Sequence, residues 1–270
     1  MCCDTGKVTW AMLDQLFPSQ LGRGVAECVA AALLSFFILL LIKRRGVNLL
    51  GELPLAQLRG LVQILIVGAV LTWMLRGPRW TSLLALLGMM LAAASIVRRR
   101  AQSIPRAFTL ALISIFVGAG SVLSGLIFLG VIPLKVAMLV PVGSMVIAQT
   151  MNMQSIFLDR LRGEVASHVG EIESALALGA SPDVALGRYL RAAYRASLIP
   201  SLDNVRSLGI VWIPGIMAGM VLSGASPIYA ALYQFVVLTT IFSAAALTCL
   251  VSSYLVTKRV FTVNEQLLLR

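Results

Sequence analysis

Residues 25–42 read VAECVAAALLSFFILLLI, eighteen residues with a single charged side chain, and comparable runs recur down the chain. A helix that crosses the hydrocarbon core of a bilayer needs ~20 apolar residues. Seven stretches meet or approach that length: Val25–Ile42, Leu58–Leu75, Thr81–Val97, Phe108–Gly130, Leu134–Phe157, Leu208–Leu222 and Ile228–Thr257. Composition agrees, with 59% hydrophobic and 12% charged residues and a mean hydropathy of +0.93. A soluble domain of this length needs more polar surface. The expected fold is all-α: a polytopic helical membrane protein with about seven transmembrane helices. Residues 1–24 form a polar lead with no basic n-region and no small-residue cleavage site, so no signal peptide is read there. Residues 25–270 are expected to form one transmembrane domain.

The basic residues orient these spans. With the N-terminus outside and one crossing per run, 17 Lys and Arg fall on the cytoplasmic side and 5 outside. The opposite orientation inverts the ratio, so the positive-inside rule predicts N-out and C-in. The net charge of +11 then reflects insertion, and nucleic acid is not an expected partner. Cys2, Cys3, Cys28 and Cys249 match neither a zinc site nor a disulfide framework. His168 is the one histidine, which argues against a metal or catalytic role for it. No G-x-x-x-x-G-K-[ST] motif occurs, so no nucleotide is bound by a P-loop, and no cofactor is implied.

One passage breaks the apolar pattern. Residues 171–200 read EIESALALGASPDVALGRYLRAAYRASLIP, inside a region, 159–206, that the orientation places in the cytoplasm. A first helix is predicted from about Arg162 to Leu178, closed by Gly179. Ser181 suits the N-cap, Pro182 the first helical position and Asp183 the first turn of a second helix, predicted to stop near Leu198 before Pro200. Arg188, Arg191 and Arg195 share one face of it, which suits a helix lying along the inner leaflet among lipid phosphates. Ile172, Ala175, Leu176 and Gly179 form a narrow stripe of mostly small residues. It fits either a docking element for a cytoplasmic partner or a plain amphipathic connector.

The segment ESALALG, Glu173–Gly179, resembles the coupling loop of ATP-binding-cassette (ABC) permeases, in which Glu and small residues precede a Gly. The importer pattern puts Ile-x-Leu-Pro soon after that Gly, whereas here LIP ends only at Pro200. Together with GSMVIAQTMNMQSIFLDRLRGEV (143–165) and the PG and GASP elements at Pro214–Gly215 and Gly224–Pro227, the chain resembles the bacterial iron-export ABC permeases. Plant aluminium-sensitivity membrane proteins belong to the same family. The likeness is nearly continuous from Pro141 onward, and the first 130 residues match mainly by hydropathy. Ala148 and Gln149 stand where the family tends to carry Gly-Asn, and Ala218 and Met220 where it tends to carry Thr and Gln. The resemblance implies a permease subunit in the bacterial inner membrane that exports iron or another metal. It also implies a separate cytoplasmic ATPase and two copies of each chain. Glu171, Glu173, Ala175, Gly179, Ser181 and Pro182 would then face the ATPase.

Polar groups within spans mark the candidate path. Gln149, Asn152 and Met153 share a face at i, i+3 and i+4, with Thr150, Gln154, Ser155 and further methionines close by. Thioethers suit soft metals and amide oxygens harder ions; helix–helix hydrogen bonding and methionine packing account for the same residues. No acidic residue stands mid-span apart from Glu27 at the edge of the first run, so no strong metal ligand set is named. Pro214 and Gly215 are expected to break the sixth run near its middle, where freed backbone groups could line a cavity or merely accommodate a packing kink. A stand-alone secondary transporter or channel is the competing class; no internal repeat and few mid-span ionisable groups support it.

Overall fold

The computed structural model describes residues 20–45, 51–75, 78, 80–102, 104–133 and 136–260. Cys2, Cys3 and nearly all of the N-terminal lead lie outside them. Every regular element among the described residues is helical: α1 (Gln20–Lys43), α2 (Glu52–Leu75), α3 (Trp80–Arg100), α4 (Ala107–Ile115), a π-helical turn (Phe116–Gly120), α5 (Ser121–Phe128), α6 (Val136–Ser167), α7 (Val169–Ala177), α8 (Pro182–Arg206), α9 (Gly215–Leu222) and α10 (Pro227–Val260). Five stretches among those residues are long and apolar enough to cross a membrane: α1, α2, α3, the run α4–π–α5, and α10. The chain is thus an all-helical, multi-pass membrane protein. Contacts divide it into two compact units, Met1–Arg76 and Gly77–Arg270.

In the first unit, α1 and α2 are apolar all round. Val29, Leu33, Leu34 and Phe37 on α1, and Leu58, Ile64, Leu65 and Ile66 on α2, are all exposed. A helix without a polar face is at home in lipid, where exposed side chains lose nothing.

The second unit is built on a seam along α10. Its buried residues Ala230, Gln234, Val237, Ile241, Ala244, Ala245, Thr248, Cys249, Ser252 and Val256 recur every three to four positions. Many are small, which lets neighbouring helices approach closely. The π turn meets this seam at Gly118. A Cβ placed there would lie 2.7 Å from the backbone N of Thr248 and 2.8 Å from its Cα. Gly143 on α6 admits Leu86 of α3 in the same manner. α6 and α8 both pack on α10. Gln154 Nε2 donates to Ser252 Oγ at 2.7 Å, and the Tyr194 hydroxyl donates to the Ala246 carbonyl at 3.2 Å.

Two expectations change at α8. It does not stop before Pro200 but runs 25 residues to Arg206. The missing proline N–H costs one backbone bond, yet the buried stripe Ala185, Leu186, Tyr189, Ala193, Ser197, Ser201 continues past it. Tertiary packing therefore overrides the local stop signal. Nor does α8 simply lie on a leaflet: Arg188, Arg191 and Arg195 are exposed as expected, but the opposite face is held by α6 and α10.

The sixth apolar run is not one helix with a mid-point kink. Residues 209–211 form a turn closed by an isolated bridge between Leu208 and Trp212, with Gly209 at φ 76°, and Pro214 is the N-cap of α9. At 1.5 Å per residue the eight residues of α9 span ~12 Å, well short of the ~30 Å hydrocarbon core. Pro214 supplies no N–H, and its ψ of 144° is extended, so helix can only begin after it.

Candidate functional site

The polar passage folds into a helical hairpin. α6 ends at Ser167, the backbone turns at His168 (φ −128°, ψ 26°), and α7 begins at Val169. Residues 162–167 thus belong to the long α6 and not, as expected, to the first hairpin helix. Gly179 closes α7 at φ 87°. Ala180 N–H donates to the Ala175 carbonyl at 3.0 Å and Gly179 N–H to that of Leu176 at 2.9 Å, the paired bonds of a glycine-terminated helix. Ser181 is the N-cap of α8 and Pro182 its first residue, as the spacing predicts. The Ser181 hydroxyl makes no cap bond; its carbonyl accepts the N–H groups of Val184 and Ala185 at 3.0 Å each.

A polar clasp fixes the two arms. The Tyr189 hydroxyl donates to Glu171 Oε2 at 2.8 Å, and Arg188 Nη1 lies 3.7 Å from the same oxygen. The Arg188 guanidinium sits 5.3 Å from the Tyr189 ring centroid, and the His168 ring stacks on that tyrosine at 5.0 Å. His168 Nδ1 is 2.8 Å from the Glu164 carbonyl. The Glu171 carboxylate, by accepting the hydroxyl proton, raises the Tyr189 phenol above its ordinary value, which keeps the donor in place. Glu171, expected to face a partner, is exposed and also bonded within the hairpin.

Three residues of the small-residue stripe turn inward, and Gly179 stays exposed. Ile172 is buried, and the half-buried Ala175 and Leu176 pack against the hydrophobic core. What the tip presents outward is Glu173, Ser174, Ala177, Leu178, Gly179, Ser181, Asp183 and Val184. Leu178 is 89% exposed and Val184 71%. This apolar pair flanking the turn was not singled out by sequence reasoning. The signal was present, since Leu178 directly precedes the helix-ending glycine.

The path residues separate. Gln149 and Asn152 are half-buried, but Met153 is buried in the core, so the three do not open onto one surface. Thr150 and Ser155 bond back to the carbonyls of Ile147 and Met151 at 2.8 Å each. Gln154 is fully buried, and its Oε1 has no partner among the described residues. Removing one member of a buried pair strands the other, at about 1–3 kcal/mol. Ser252→Ala, which strands the whole Gln154 amide, is therefore expected to cost more than Gln154→Leu, although it deletes fewer atoms. Thermal unfolding in detergent checks the order; equal or reversed losses refute the pairing. Pro214 is buried and Gly215 exposed at the start of α9. Among the described residues no three His, Cys, Asp or Glu side chains gather as a metal ligand set.

Five helical stretches long and apolar enough to cross a membrane define a multi-pass membrane protein. Comparison with known proteins makes this specific: the chain belongs to the Uncharacterised protein family UPF0014, whose model matches residues 25–261. The match begins in the first span and so covers both compact units. Relatives include the UPF0014 membrane protein YjkA of Bacillus subtilis, 37% identical over 80% of this chain and 87% of the relative. Protein ALUMINUM SENSITIVE 3 of Arabidopsis thaliana is 30% identical over 91% of this chain and 90% of the relative. The probable iron export permease protein FetB of Escherichia coli is 30% identical over 89% and 94%. No solved structure matches.

Proposed function

We propose that this chain is the membrane-spanning permease subunit of an ABC exporter, working as a homodimer with two copies of a separate cytoplasmic ATPase. It is not itself an enzyme. The observation that carries the reading is the α7–α8 tip, where Leu178 and Val184 stand exposed on a hairpin locked by the Glu171–Tyr189–Arg188 clasp. An exposed apolar knob on a rigid arm fits a cleft in a soluble partner. Glu173, Gly179, Ser181 and Pro182 complete the face offered to the ATPase. Because α8 and α6 pack directly on α10, a push on the tip reaches the spans without passing through a flexible linker.

The chain lies in the bacterial inner membrane, crosses it seven times, and has its N-terminus out and C-terminus in. Residues 25–270 act as one permease domain, with 159–206 as its coupling region. The sixth crossing is a broken one. Tyr194 and Ser197 of α8 reach Ala246 and Cys249, well inside the apolar length of α10, and α9 completes the passage. The cargo is iron or another metal ion, a reading supported by the name of the Escherichia coli relative. Half-buried Gln149 and Asn152, and the backbone at Pro214 and Gly215, supply weak oxygen ligands along the route. Inverted vesicles holding this chain and its ATPase should accumulate ferrous iron when ATP is added, and should not without the ATPase. Equal uptake without ATP would instead establish a channel or a secondary transporter.

A further inference from the structure

Six basic side chains lie at the ends of three helices of the second unit, α4 packing on both α3 and α10. Arg98, Arg99 and Arg100 close α3, Arg106 caps α4, and Lys258 and Arg259 lie in the last turn of α10. They are held together by structure and not merely by sequence. Arg259 Nη1 donates to the Arg106 carbonyl at 3.0 Å, and Val97, Ala101, Ile104 and Val260 anchor the converging ends in the core. Arg106, at φ 54° and ψ 38°, is the one non-glycine residue with positive φ among the described residues. A side chain in this region is strained, and such strain persists only where surrounding structure enforces it.

Among the described residues no carboxylate pairs with the collar. The chain contains no Asp or Glu between Glu52 and Asp159, nor between Asp203 and Glu265. None of the six has an ion-pair partner among the described residues. Five of the six are exposed and Arg259 is half-exposed. The helix C-termini ease this crowding of positive charge a little through their dipoles, but an external anion is the missing counter-charge.

Apolar grooves lie farther along the same helices, between α3 and the α4–π–α5 run. Two adjoining hollows of about 540 and 420 Å³ share Leu87, Met90, Phe116 and Val117 in their walls. Leu91, at the near end, is seven residues from Arg98 on the same helix, or ~10 Å along its axis. A phosphate on the collar would therefore have its acyl chain beside the groove, the combination that recognises an anionic lipid between transmembrane helices.

We propose that this collar and groove form a binding site for an anionic phospholipid, its phosphate on Arg98–Arg100, Arg106, Lys258 and Arg259, and an acyl chain along Leu87, Met90 and Phe116. The site requires only that the protein sits in a bilayer, and stands independently of any ATPase or cargo.

The full chain, purified in mild detergent with equal amounts of palmitoyl-oleoyl phosphatidylglycerol and phosphatidylcholine, is assayed for retained lipid by native mass spectrometry. The wild type should retain phosphatidylglycerol preferentially. Arg98→Gln/Arg99→Gln/Arg100→Gln should lower that preference by about a hundredfold, the expected loss for three surface charges. Leu87→Trp keeps every charge, and should reduce phosphatidylglycerol retention by obstructing the groove. Should the triple variant elute as aggregate, Lys258→Gln alone carries the test, with a fall of about fivefold expected. Equal retention of the two lipids by the wild type, or an unchanged preference in the charge variants, overturns the proposal. So does displacement of the lipid by millimolar inorganic phosphate, which would make this a site for free anions. Loss of ATPase capture with unchanged lipid preference would assign the collar to a protein partner and overturn it equally.

Discussion

Gly118→Val should lower the thermal midpoint more than any other substitution considered for this chain. The glycine sits in the π turn, where a Cβ would meet Thr248 of α10 at 2.7 Å from its N and 2.8 Å from its Cα. These are backbone atoms in the middle of a helix and cannot rotate aside. Relief requires the π turn and α10 to separate, opening the seam at Ala119, Ala244 and Ala245, all fully buried. Overpacking that displaces backbone belongs at the upper end of core substitutions, about 3 kcal/mol or more. For a unit of this size that corresponds to a fall in thermal midpoint of roughly 10 °C. Gly125→Ala on α5 is the control, because nothing lies within 4 Å of its added carbon. It should be neutral, or stabilising by about 0.5 kcal/mol through reduced backbone freedom in the unfolded chain. Matching midpoints in the two variants would sink the close-contact account of the π turn.

The contrast between these two glycines marks where sequence reasoning stops. Both lie in one apolar run, and nothing in FVGAGSVLSG distinguishes the one pressed against a helix from the one in open space. Helix existence was legible because composition and run length are local properties. Gly179 was legible because a left-handed residue after an amphipathic helix has a local cause. Which way a stripe faces was not. Ile172, Ala175 and Leu176 form the same pattern whether they wait for a partner or already rest on the core, and only tertiary packing decides. Gln154 shows the same ambiguity, being a hydrogen bond to Ser252 where the sequence offered either a path or a helix contact. The sixth run misled for a different reason. Hydropathy averages over a window, while Gly209 and Pro214 act one residue at a time on the backbone. The collar was countable but its convergence was not, since residues 106 and 259 meet only through the fold.

If the chain works with an ATPase as proposed, Leu178→Asp should leave it folded and abolish that work. The side chain is 89% exposed at the end of α7, so folding loses almost no buried area. A carboxylate near a helix C-terminus costs a few tenths of a kcal/mol, too little to move the thermal midpoint measurably. At an interface the same change is severe. An unpaired carboxylate placed in an apolar cleft costs several kcal/mol, enough to reduce ATPase co-purification and ATP-driven transport by about a hundredfold or more. Val184→Asp should act alike, because Val184 flanks the same turn and is also exposed. Arg191→Gln, exposed on the same arm but more than two turns from its start, should keep both activities. The clasp sharpens the reading. Glu171 is held by Tyr189 and Arg188, so Glu171→Gln should weaken capture less than Leu178→Asp despite lying within the passage that resembles a coupling loop. If the order reverses, the partner reads the acidic residue and not the apolar knob. If Leu178→Asp loses capture only together with thermal stability, the tip is structural and the ATPase docks elsewhere.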